Sequence, residues 1–119
     1  MPFPVPDPFV WDTSFQVFYF KLDDQHRAIF ETLFNSTNDN TPGNLQLFYI
    51  VTANHFEEEE GWMVSASYGG YDAHKKLHEE FLAKVRSFSA PVSKENLFYA
   101  KDWLVQHIKT IDFKYKQLL

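Results

Sequence analysis

The stretch "YDAHKKLHEEFLAKVRSF", residues 71–88, decides the fold. His74 and His78 stand four apart, and their row continues from Tyr71 to Phe81 and Val85, with Leu82 beside it. Residues three and four apart share one helical face, so both imidazoles point the same way as the apolar row. The spacing predicts a helix over 71–88. Two rings on one face of one turn is also the geometry a metal ion needs.

Three other stretches carry the same period. The first runs from about residue 18 to 37, on Phe18, Leu22, Ile29, Phe30 and Leu33, and "NSTNDNTPGN" ends it with turn chemistry. The second runs from about 44 to 64, on Leu45, Phe48, Tyr49, Thr52, Phe56 and Met63, and Gly69 and Gly70 in "YGGY" break the chain after it. The last runs from about 94 to 111, on Leu97, Ala100, Leu104, Ile108 and Ile111, with Ser93 placed to cap its start. Four helices joined by short loops predict an all-α, antiparallel up-down-up-down four-helix bundle. Alternation of β-branched residues is nearly absent, which leaves a sheet without support. Residues 1–17 read as an extended N-terminal arm, because Pro2, Pro4, Pro6 and Pro8 fix φ and remove amide donors. Its Phe3, Phe9, Trp11 and Phe15 should pack onto the body. The 119 residues are expected to form a single domain, with the bundle over 18–111 and a tail over 112–119.

Composition removes several function classes. The chain has no cysteine, which excludes disulfides, thiolate catalysis and iron–sulfur clusters. Its formal net charge is −5 and it shows no basic stripe, so neither nucleic acid nor an anionic membrane surface is expected as a partner. No apolar run approaches the roughly 20 residues needed to span a bilayer. The N-terminal residues do not read as a signal peptide, and a cytoplasmic protein is the expectation.

The histidines are His26, His55, His74, His78 and His107, and each projects onto an apolar face. A single inward histidine is more often an ordinary core residue with a hydrogen bond. Five without a shared partner would each need a separate buried hydrogen bond or carry a desolvated polar group at about 1–3 kcal/mol. One metal centre would satisfy all five. The run "HFEEEE", residues 55–60, adds an acid. Relative to His55, Glu57 and Glu60 lie about 200° and 140° away and are expected outward; Glu58 lies about 60° to one side and Glu59 about 40°. Glu59 is thus the inward carboxylate, tolerable only beside a cation. Asp23 and Asp24 could partner His26, although exposure to solvent is the ordinary expectation. Asp112 is not selected by periodicity. It lies about 140° round an ideal helix from His107 and could turn inward only if the helix ends or distorts there.

These segments, with "PDPFVWDTSFQVFY", "LDDQHRAIF", "NHFEEEE", "HKKLHEEF" and "WLVQHIKTIDFKYK", resemble the hemerythrin family over essentially the whole chain. The loop "SAPVSKEN" is similar to the muscle form, myohemerythrin, and so favours a monomer while leaving an oligomer possible. The resemblance implies two non-heme iron ions joined by an oxygen bridge. His74, His78 and His107 would hold one iron, His26 and His55 the other, and Glu59 and Asp112 would bridge them. Asp112 rests on the resemblance alone. The fully acidic "EEEE" departs from the mixed polar residues frequent in relatives, and is expected to alter surface charge more than chemistry.

Two octahedral irons offer about twelve coordination positions. Five histidines, two bridging carboxylates and the oxygen bridge fill all but one, and the vacancy falls on the iron with two histidines. Dioxygen is the expected ligand there, with Leu104, Phe30 and Phe56 as candidate pocket walls. A histidine-rich set without E-x-x-H motifs favours reversible binding over oxidation chemistry, so no enzyme activity is expected. Storage or detoxification of metal ions, and a di-iron oxidase, are the rival functions.

Overall fold

Asp23 determines where the first helix begins. The computed structural model describes residues 3–119, so Pro2 of the arm lies outside the described residues. In α1 (Phe20–Asn38) the capping residue, Tyr19, has no side-chain bond to the helix. Instead Asp23 turns back toward the arm and is buried, its Oδ1 accepting the Val17 N–H at 2.8 Å and its Oδ2 the Phe18 N–H at 3.1 Å. This grip holds Phe18 in the left-handed region at φ 68° and leaves its ring 69% exposed. The apolar row therefore starts at Leu22, and Phe18 is no part of the helix. The expectation that Asp23 faces solvent is corrected, whereas Asp24 is exposed.

The remaining helices start where their caps dictate. α2 (Pro42–Ser65) begins on Thr41, whose Oγ1 accepts the Asn44 N–H at 3.2 Å, with proline in the first position, where no donor is lost. α3 (Tyr71–Arg86) follows the Gly69–Gly70 break. α4 (Lys94–Gln106) begins on Ser93, whose Oγ accepts the Asn96 N–H at 3.1 Å. The fourth stretch does not continue as one α-helix. A π-helical turn spans His107–Ile111, and a 3₁₀ turn, Asp112–Tyr115, follows it.

Among the described residues there is no strand, and the molecule is an antiparallel four-helix bundle. α2 would be roughly 36 Å long at 1.5 Å per residue. The bundle measures 40 × 26 × 25 Å, so its helices lie along the long axis. α1 packs on α2 and α4, α2 on α3, and Phe81 of α3 stacks on Trp103 of α4 at 4.0 Å. At one end Asn40 ties two loops together, donating to the Val92 carbonyl at 2.8 Å and accepting the Val92 N–H at 2.7 Å.

The arm packs as its aromatics suggest. Phe9 stacks on Phe30 at 4.3 Å and Phe15 meets the same ring edge-on at 4.9 Å, both buried. Phe3 stays partly exposed, but Gln106 clasps its backbone, accepting the Phe3 N–H at 2.9 Å and donating to its carbonyl at 2.6 Å. Asp23→Ala should strip the Val17 and Phe18 amides of their acceptor. The expected cost is about 1–3 kcal/mol, read as a lower denaturant midpoint. An unchanged midpoint would show that these amides rehydrate freely.

Candidate metal centre

Toward the end of the bundle where α3 begins and α4 finishes, each of the four helical segments delivers an imidazole to one place. α1 contributes His26, α2 contributes His55, α3 contributes His74 and His78, and the π turn after α4 contributes His107, all buried. The two acids stand among them. Glu59 and Asp112 are 0% and 1% exposed, which for carboxylates requires compensation from every side.

Each carboxylate faces both ways. Glu59 Oε1 lies 3.1 Å from His74 Nε2 and 3.1 Å from His78 Nε2. Its Oε2 lies 3.2 Å from His55 Nε2 and 3.6 Å from His26 Nε2. Asp112 repeats the pattern, with Oδ1 at 2.9 Å from His74 Nε2 and 3.1 Å from His107 Nε2, and Oδ2 at 3.2 Å from His26 Nε2. Two overlapping donor sets result. One is His74, His78 and His107, the other His26 and His55, and Glu59 and Asp112 belong to both. The structure thus brings together all seven residues that the sequence and the resemblance selected.

Asp112 reaches the centre through the backbone defect beside it. In the π turn the Asp112 N–H bonds the carbonyl of His107, five residues back. One extra residue in the turn carries Asp112 round to the face of His107, where an ideal α-helix would miss it. The distortion that the inward position demands is present.

The donor atoms fit a cation better than they fit one another. His26 Nε2, His78 Nε2, Glu59 Oε1 and Asp112 Oδ1 are buried and make no hydrogen bond, although oppositely charged neighbours lie within reach. His74 Nε2 and His107 Nε2 stand only 3.0 Å apart. That pair is within hydrogen-bonding distance, but the four unbonded atoms converge on a common point between the side chains, as ligands do. Imidazole nitrogens with carboxylate oxygens suit iron, zinc and related divalent ions.

The charge balance agrees. Burial is the largest influence on His26 and pushes it down, yet Asp112 and Glu59 carry it up to about 9. His74 is raised to about 9 in the same way. Burial prevails at His55 and His107, which are lowered against the pull of Glu59 and Asp112. Burial also acts to raise both acids, but the surrounding imidazoles hold Glu59 and Asp112 well below the usual carboxylate range. The centre is built around two fixed anions that draw positive charge, and a metal taking that place displaces protons.

Three residues around the centre differ from the sequence reading. Tyr115 is fully buried and donates its O–H to Glu59 Oε2 at 2.8 Å, although no tyrosine is expected there. It sits three residues after Asp112 in a 3₁₀ turn, where positions three apart eclipse, so the signal was the type of turn. Burial, with Asp112 and Glu59 close by, pushes its pKa well above 10, and it remains a neutral phenol. Glu60 is not a purely outward residue. α3 runs alongside, and the Glu60 side chain reaches across to His78, with Oε2 2.9 Å from Nδ1. Gln25, half-buried, places Oε1 2.7 Å from His55 Nδ1. Glu57 does face solvent, and Glu58 pairs with Lys21.

The candidate walls are apolar and buried. Phe56 stacks on His78 at 3.7 Å, with the rings within 2° of parallel. Leu104, one turn before His107, and Phe30, one turn after His26, are 2% and 1% exposed.

Five imidazoles and two shared carboxylates inside four antiparallel helices define a class, the non-heme metal-binding helical bundle. Residues 17–119 match a family model described as the hemerythrin HHE cation binding domain. The chain is 72% identical to a hemerythrin of Sipunculus nudus over the whole of both chains. It is 56% identical to myohemerythrin of the same animal over 98% of each chain, and 50% identical to myohemerythrin-1 of Phascolopsis gouldii over 97% of this chain and 98% of that one. The chain belongs to the hemerythrin family. Among the described residues no helix is long and apolar enough to cross a membrane.

Proposed function

We propose that the protein binds dioxygen reversibly at a pair of non-heme irons, as an oxygen store or carrier, and turns over no substrate. One observation carries this reading. Each of two buried carboxylates presents one oxygen to a three-histidine set and the other to a two-histidine set. His74, His78 and His107 would hold one iron, His26 and His55 the other, with Glu59 and Asp112 shared. When bound, the iron pair supplies the electrons that hold dioxygen and recovers them on release. The set with one histidine fewer leaves room for an outside ligand.

The surrounding side chains favour release over turnover. Phe56, Leu104 and Phe30 are apolar and buried, and as walls of the pocket they would exclude water from the centre. Tyr115, the protic group found beside Glu59, keeps its proton, because its pKa lies far above neutrality and the phenol is already committed to the Glu59 oxygen. General acid catalysis asks for a group that titrates near the working pH, which this phenol does not.

Leu104→Asn replaces a buried wall by a polar group of similar size. Autoxidation to the ferric form should speed up on the order of tenfold, the effect of about 1.4 kcal/mol on a barrier. Stopped-flow spectra under air measure it, and equal rates in variant and parent would remove Leu104 as a water barrier.

The acidic, cysteine-free chain suits a cytoplasmic setting. The loop likeness to the muscle form favours a monomer, the 72% identical relative is named as a subunit, and sedimentation of the purified protein decides between monomer and oligomer. The function itself is tested by an iron assay with visible spectra. Two irons per chain and a band that appears with dioxygen and vanishes on deaeration are expected. A band that persists after deaeration, or peroxide released in proportion to oxygen consumed, would overturn the carrier reading in favour of an oxidase.

A further inference from the structure

Two of the five imidazoles are gripped from behind by side chains, and the two grips differ in charge. His78, in the three-histidine set, has Glu60 Oε2 at 2.9 Å from its Nδ1. His55, in the two-histidine set, has Gln25 Oε1 at 2.7 Å from its Nδ1. Both rings turn Nε2 toward Glu59. A ring that gives its Nε2 lone pair to a metal must carry its proton on Nδ1, so each Nδ1–H is the donor and each oxygen the acceptor. Tautomer and ring orientation are thereby fixed on both sides. Only the Glu60 acceptor is a carboxylate.

We propose that Glu60 is a positioning residue that widens the inequality between the two metal sites beyond their difference in histidine count. This rests on the dinuclear reading above. A carboxylate accepting from Nδ1–H draws that proton toward itself and leaves Nε2 richer in electrons, so His78 becomes a stronger donor than an ordinary imidazole. The Gln25 amide gives the same orientation without that charge, and His55 stays an ordinary donor. The three-histidine set therefore binds its ion first and holds it more tightly. With iron it also stabilises the higher oxidation state on that side, away from the position left open for an outside ligand. Glu60 is placed for this. Its side chain is 20% exposed, so it keeps contact with water, while the ring it holds is 1% exposed. Its neighbour Glu59 points into the centre, and the two successive acids of α2 thus act on opposite nitrogens of His78.

Zinc tests this without redox chemistry. The zinc-loaded protein is exposed to graded chelator, and two dissociation constants are read from the zinc released. The first ion to leave should come from the two-histidine set. Glu60→Gln keeps an oxygen acceptor for Nδ1–H but removes the charge, and should weaken the tighter constant about tenfold, within the range expected when a ligand loses its supporting partner. Gln25→Glu adds the charge on the other side, should tighten the weaker constant by about as much, and should draw the two together. A gain of affinity cannot come from misfolding, so this second variant keeps the test sound if Glu60→Gln is unstable. Nitrogen-15 spectra of His78 should show Nδ1–H retained in Glu60→Gln. With iron, the reduction potential of Glu60→Gln should move to more positive values. Two zinc ions bound with constants that neither variant changes would overturn the role of Glu60 and leave the dinuclear reading standing. A chain that takes up no pair of ions would overturn both.

Discussion

Glu59→Gln is expected to abolish stable uptake of the metal pair, with retention of iron falling by at least about 100-fold. The substitution is nearly isosteric, so the reason is chemical. Glu59 Oε1 and Oε2 each lie near two imidazole nitrogens, and together they serve both histidine sets. An amide keeps one oxygen and turns an –NH₂ toward the other set. That nitrogen has no lone pair for a metal and offers protons where the site needs an anion. The Tyr115 hydroxyl can still find the remaining oxygen, so the fold around it should survive. The metal-free variant should also lose less stability than the about 3–5 kcal/mol typical of a broken buried ion pair. His26 and His74 can shed their protons once the anion is gone, whereas a lysine or arginine could not. Iron per chain after desalting, with the oxygen-dependent visible band, measures the outcome. Glu57→Gln, on the exposed side of the same helix, is the control and should retain full iron. A Glu59→Gln protein that holds two irons would show that Asp112 alone can join the two sites.

How much of this could be read from residues depends on how regular the backbone stays. His26, His55, Glu59, His74 and His78 lie within unbroken α-helices, and a 100° wheel places each of them correctly. His107 follows the last residue of α4 as the first of the π turn and is still in phase. Beyond it the wheel fails, because the π turn adds a residue and the 3₁₀ turn then tightens the rise. Asp112 could therefore be assigned only by resemblance, and Tyr115 was invisible. Glu60 failed for a different reason. The wheel gives the direction of Cβ from its own axis, and says nothing of a neighbouring helix that the side chain can reach. Phe18 was misplaced because an apolar residue in register looks helical, while Asp23, five residues on, captures its amide. In each case a change of turn or a contact from outside the local period overrode it.

Removing the metal should lower the melting temperature by about 15 °C near neutral pH. Two ions, each at roughly thirty times its dissociation constant, add about 2 kcal/mol apiece and about 4 kcal/mol together to the folded state, provided the unfolded chain binds them weakly. For a chain of 119 residues each kcal/mol is worth roughly 4 °C. Protons offset part of the loss. Without metal, Glu59 and Asp112 still demand positive charge, and His26 and His74 supply it, both raised to about 9 against burial. A histidine raised from 6.5 contributes stability that is fully present below pH 6.5 and is lost as the pH climbs through about 9. The loaded protein does not depend on those protons. The gap between loaded and chelated protein should therefore widen from pH 6.5 to beyond pH 9, measured by thermal melts with and without chelator across that range. Equal melting temperatures at the alkaline end would mean that seven buried polar side chains satisfy one another without an ion, which unaligned, unbonded donor atoms such as His26 Nε2 and Asp112 Oδ1 do not allow.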